Sequence, residues 1–109
     1  MIVKHSLTLI DGEKQIAGFY KSLEMPCLPP VGSKIFFGSG IGSGIGHTVK
    51  SITFSEKETM YCVNYKLDVK DARREFEDHV DVRFFVDLLH KRQGFSVQWS
   101  EDEYVHLFQ

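Results

Sequence analysis

The sequence predicts an α+β fold. Five strands form a curved antiparallel meander, open to barrel-like closure, with one helix of the C-terminal half packed on it and a short C-terminal β-hairpin after it. Three observations predict this. Apolar and polar residues alternate with period two over most of the first 67 residues, the pattern of half-buried strands. The period becomes helical at Asp81 and returns to two after Gly94. The chain has 109 residues, 42% of them hydrophobic and nine of them Phe, which suits one core and hence a single domain over 1–109.

The first strand covers 2–10, with Val3, His5, Leu7 and Leu9 on one face and Lys4, Ser6 and Thr8 on the other. Asp11-Gly12 supplies a turn. A second strand follows over about 15–24, showing Ala17, Phe19, Leu23 and Met25 on one face. A five-residue loop would set Val3 opposite Leu23 and Leu7 opposite Phe19, keeping the apolar faces together; a two-residue Asp-Gly loop would set Leu9 opposite Lys14. Pro26, Pro29 and Pro30 interrupt the ladder because proline has no N–H to donate. A third strand begins over 34–37, a fourth covers 47–54, and a fifth covers 59–67 with Tyr61, Val63, Tyr65 and Leu67 on one face.

Asp81 is placed to cap a helix over 82–93, with Gly94 as its stop and Lys91 and Arg92 in the last turn. The segment before it spaces Ala72, Phe76 and Val80 by four, which suits a short helix. Phe95, Val97 and Trp99 then mark a strand, and Tyr104 to Phe108 a last one.

The stretch FFGSGIGSGIGH, 36–47, puts glycine at every second position from 38 to 46. It matches no phosphate-binding pattern. In each G-x-G pair from Gly38 onward the third glycine of G-x-G-x-x-G is missing, and a strand follows instead of a helix. The Walker lysine is absent after Gly46, and neither serine sits in G-x-S-x-G. The stretch reads as a hairpin connection. If it contacts a ligand or partner, Ile41, Ile45 and the adjoining His47 are the side chains it offers.

No motif names a catalytic group, a metal site or a cofactor. The five histidines form no H-x-x-x-H or C-x-x-C…H pattern. Glu75 with His79 and Asp87 with His90 are helix-spaced pairs that read as a solvated charged face. Cys27 and Cys62 lack redox spacing and read as free thiols, buried or half-buried. Thirteen basic and fifteen acidic residues give a net charge of −2, with no basic arm, which argues against a nucleic-acid partner. No signal-peptide core or membrane-length apolar run is present, so a cytoplasmic protein without a membrane partner is expected.

Trp99 and Tyr104 flank the acidic Glu101, Asp102 and Glu103, a combination suited to a protein partner. The favoured expectation is therefore an interaction module acting as a homodimer, through a sheet face or edge, or binding another protein. The alternative is a small apolar or aromatic ligand held in a sheet–helix pocket. An enzyme finds no support beyond the supply of histidines and carboxylates.

Overall fold

A computed structural model describes residues 1–38, 45–74 and 80–108; Ile41, Glu75 and His79 lie outside the described residues. Ile2–Asp11 (β1) and Lys14–Glu24 (β2) form the first hairpin. Their register is the expected one, with Val3 opposite Leu23 and Leu7 opposite Phe19. The route to it differs from a five-residue loop. Only Gly12 and Glu13 separate the paired Asp11 and Lys14, and Gly12 takes φ 65°, the sign that the first position of a II′ turn requires. Leu9 pairs with Ala17 but Ile10 pairs with Gln15, so Ile16 is the extra residue of a β-bulge. The bulge restores the apolar register that a tight turn alone would lose, and it buries the consecutive Ile16 and Ala17 together.

The remaining strands depart from a meander. Lys34–Ile35 (β3) pairs only with His47–Thr48 (β4), in a separate two-stranded sheet. The expected single strand over 47–54 breaks at Val49 and Lys50. Val49 exchanges backbone hydrogen bonds with the Gly32–Ser33 turn, whereas the Lys50 N–H donates to the Asn64 carbonyl. The chain thereby leaves one sheet and joins the other as Ser51–Ser55 (β5). Met60–Asp68 (β6) returns antiparallel to β5 and then runs parallel to β1. With Ser96–Ser100 (β7), the main sheet has the order β5-β6-β1-β2-β7. It ends in two separate edges and does not close into a barrel.

Val69–Ala72 (α1) is capped by the Asp68 side chain, which accepts from the Lys70 N–H. Val82–Asp87 (α2) starts as expected, with the Asp81 carboxylate accepting from the Phe84 N–H. It continues as a π turn over Leu88–Arg92, and the chain turns away at Gly94, φ 77°. This helical segment and Phe95 fill the space over the sheet: Phe19, Phe85, Leu89 and Phe95 are all at most 1% exposed. Each fully buried side chain of this size contributes roughly 1.5–3 kcal/mol. That filling leaves the sheet–helix interface as core. On the other face, Ser6, Thr8, Asn64 and Lys66 are polar and at least partly exposed, while Tyr20, opposite Ser6, and Trp99, opposite Gly18, keep part of their rings exposed there.

The expected C-terminal hairpin is replaced by a 3-10 helix over Asp102–Phe108. Tyr104, Leu107 and Phe108 pack against the core from it, and the Phe108 ring lies 6.0 Å from that of Phe19. Spacings of three and four suit one helical face, whereas a strand would divide these residues between two faces.

Gly18 is the one position in β2 where a side chain is excluded by a neighbour. A Cβ there would overlap the indole of Trp99, which lies across it from β7. Trp99 is the sole tryptophan. Gly18→Ala should therefore displace the ring, red-shift the fluorescence emission and cost about 1–3 kcal/mol in urea unfolding. An unchanged emission maximum would show that the ring is not seated on Gly18.

Candidate functional site

The two sheets meet along a groove of about 560 Å³. One wall is β3–β4 with Lys34, Phe36, Ile45, Gly46, His47 and Thr48; the other is the end of β6 and α1, with Lys66, Leu67, Asp68, Asp71 and Ala72. Lys50 stands at the junction. Gly46 is required here, because a Cβ would come within 2.8 Å of both the Lys34 stem and the Phe36 ring. Phe36 is 67% exposed.

His47 is buried at the groove's inner side. Its orientation is fixed by Gln93, which is fully buried beneath it. The Gln93 Nε2 amide donates to the Ile45 carbonyl at 3.0 Å, so its Oε1 is the atom 2.7 Å from His47 Nε2. Nε2 must therefore carry the proton and donate. Burial holds the imidazole pKa below its usual value, with the Gln93 bond a smaller opposing effect, so the ring is neutral near pH 7. No hydrogen bond forms at Nδ1 among the described residues. No buried side-chain nitrogen or oxygen there is left without a partner, so Nδ1 is reached by solvent, and His47 is one of the residues lining the groove.

Behind His47 lies a second neutral imidazole. His5 is fully buried, with Nε2 3.1 Å from the Met25 thioether and Nδ1 2.8 Å from the Tyr65 hydroxyl. A thioether only accepts, so Nε2 donates to it and the Tyr65 hydroxyl donates to Nδ1. Burial, aided by the Lys21 ammonium, lowers the His5 pKa to about 4. Burial also pushes the Tyr65 phenol well above its usual range. Phe37 fills the space between the two histidines, with ring centres 5.2 Å from His5 and 6.0 Å from His47. Lys21 donates to the Gln93 backbone carbonyl, which ties β2 to the end of the helical segment.

Of the sequence-based candidates, Ile45 and His47 are brought together in the groove, and Ile41 lies outside the described residues. Trp99 and Tyr104 stand elsewhere, Trp99 over Gly18 and Tyr104 beneath the Lys14 ammonium. Asp87 pairs with Lys91, while His90 donates from Nδ1 to the Phe95 carbonyl, so they form no catalytic dyad. Cys27 is exposed, against the expectation of two sheltered thiols; Cys62 is half-buried, and both are free. Among the described residues no three His, Cys, Asp or Glu cluster as a metal site. No helix among them is long and apolar enough to cross a membrane. Sequence reasoning missed Gln93, Tyr65 and the groove lysines as a group; the buried position of His5 in the β1 alternation was the available signal.

The two imidazoles set a pH dependence. Each takes up a proton near pH 6.5 when unfolded and resists it when folded, so stability is full above pH 6.5 and is lost as pH falls below it, the His5 loss being complete near pH 4. The steepest loss is about 1.4 kcal/mol per pH unit for one histidine. Urea midpoints measured from pH 7 down to about pH 4.5 should fall steadily; a flat profile would mean that both rings take up protons as readily in the fold as in the unfolded chain.

No protein-family profile, no curated protein and no solved structure matches this chain.

Proposed function

We propose that the protein is a self-associating interaction module that pairs with a second copy through β5. The supporting observation is the character of that edge. β5 reads SITFS, without Lys, Pro or a bulge, and Phe54 is 54% exposed on it. Natural edge strands are usually blunted by such devices, because unpaired N–H and C=O groups recruit another strand. The Tyr61 ring, 40% exposed, lies 5.0 Å from that of Phe54 and extends the apolar surface onto β6.

The strand is also self-complementary. A two-fold axis at Thr53 sets β5 antiparallel to its copy and places Ile52 opposite Phe54 of the second copy. It sets Lys50 opposite Glu56 of the second copy. Moving the axis to Ile52 would set Phe54 against Lys50, and moving it to Phe54 would set Ile52 against Glu56. Register follows the apolar match, so Thr53 is the axis. Cross-strand pairs contribute about 0.2–1 kcal/mol each, which places this contact among small, reversible interfaces.

The other edge, β7, lacks this complementarity. A two-fold at Gln98 would set the acidic Glu101 and Asp102 against Phe95 and Gly94 of the second copy, with no cation to meet them.

Sedimentation equilibrium over a concentration series should show the mass rising from the 12.5 kDa of the chain toward twice that value. Phe54→Lys should hold the protein at monomer mass with unchanged circular dichroism. Lys50→Glu should weaken the dimer about tenfold, and adding Glu56→Lys should restore it. A wild-type protein that stays monomeric throughout would rule the reading out.

A further inference from the structure

We infer that the groove between the two sheets binds a small organic anion: a carboxylate or monophosphate on an apolar or aromatic body that also carries an N–H or O–H donor. Three features specify that chemistry. Lys34, Lys50 and Lys66 reach the groove from different segments, and none makes an ion pair or side-chain hydrogen bond among the described residues. Of the two acids beside them, Asp68 is already engaged: its Oδ1 accepts from the Gly12 and Lys70 N–H groups. Asp71 also lines the groove, so three lysines and two carboxylates leave the lining one net positive charge, which an anion can answer.

The second feature is His47. A neutral ring 3% exposed, locked by Gln93 with Nε2 as donor, presents only a lone pair at Nδ1. That atom accepts from a ligand N–H or O–H and gives nothing to a carboxylate or phosphate oxygen, so the ligand's donor and its anionic group must be separate. The third feature is the wall. The exposed Phe36 ring, Ile45 and Leu67 add apolar surface to the lining. A volume of about 560 Å³ matches a ligand of nucleoside-monophosphate size or smaller, within the range of small-molecule sites. This inference does not depend on dimerisation, although Lys50 borders both surfaces.

The test uses the full chain with ¹⁵N-labelled histidine and two probes, adenosine 5′-monophosphate and 4-hydroxyphenylacetate. Long-range ¹H–¹⁵N spectra report each ring nitrogen separately. With either probe, His47 Nδ1 should move along a saturable curve while His5 stays in place. Sodium chloride of matched ionic strength should not reproduce the shift. A Lys34→Ser, Lys66→Ser double variant changes two exposed side chains away from β5, and it should weaken binding by about tenfold or more with the His5 signals unchanged. The inference is overturned if neither probe gives a saturable His47 shift, if salt alone gives the same shift, or if the double variant binds as tightly as the wild type.

Discussion

The parallel pairing of β1 with β6 is the constraint on which the rest of the architecture depends. His5 lies beside Val63, Leu7 beside Tyr65 and Leu9 beside Leu67, so both strands turn one set of side chains toward the same core. A slip of one residue would bring Lys66 and Asn64 into that core, and side-chain alternation makes any such slip all or nothing. Once β1 has β2 on one side through a tight turn and β6 on the other, little freedom remains. β5 follows its turn to one edge, and β7 takes the free side of β2. The helical segment between β6 and β7 must cross the core face to connect them, and it supplies Phe85 and Leu89 on the way.

A polar joint holds the smaller sheet to this frame. Gln93 bonds His47 and the Ile45 carbonyl through its side chain, and its own carbonyl accepts from Lys21. An unpaired buried amide would cost about 1–3 kcal/mol, so the joint favours one arrangement of these segments over neighbours that leave any of its bonds unmade. The histidines suit this place because a neutral imidazole donates from one nitrogen and accepts at the other. His5 uses both, toward Met25 and Tyr65, whereas His47 uses one. Keeping both rings neutral in the fold is what sets stability against acid.

What the sequence made legible was local. The first hairpin's register could be read from its apolar faces, the strand ending at Asp68 from its alternation, and the helix start from Asp81, because each depends on neighbours within one or two elements. The bulge at Ile16 was hidden because alternation does not reveal which of two consecutive apolar residues is extra. The parallel β1–β6 pairing was hidden because two amphipathic strands read the same in either direction. The 3-10 segment was missed for a different reason: Tyr104, Leu107 and Phe108 carry helical spacing, but the short run after β7 invited a strand. At the site, His47 and Ile45 stood out through the glycines beside them. Gln93 did not, because a glutamine near a helix end ordinarily faces water and only the arrival of β4 buries it.

The break at Val49 and Lys50 links these local facts to the two proposed surfaces. Had residues 47–54 stayed one strand, His47 and β5 would belong to one ladder, and there would be no seam between two sheets. Because Val49 bonds to the Gly32–Ser33 turn and Lys50 to Asn64, the chain opens a groove on one side of the junction and begins a bare edge on the other. Lys50 borders both. Under the two readings proposed above, its ammonium has two anionic claimants, the bound ligand and Glu56 of a second copy, and one flexible side chain cannot serve both fully. Any coupling between ligand binding and self-association would then be antagonistic and equal in the two directions, since coupling free energies are reciprocal. The groove's other lysines and the apolar Ile52–Phe54 contact are not shared, which confines that coupling to what one charge contributes.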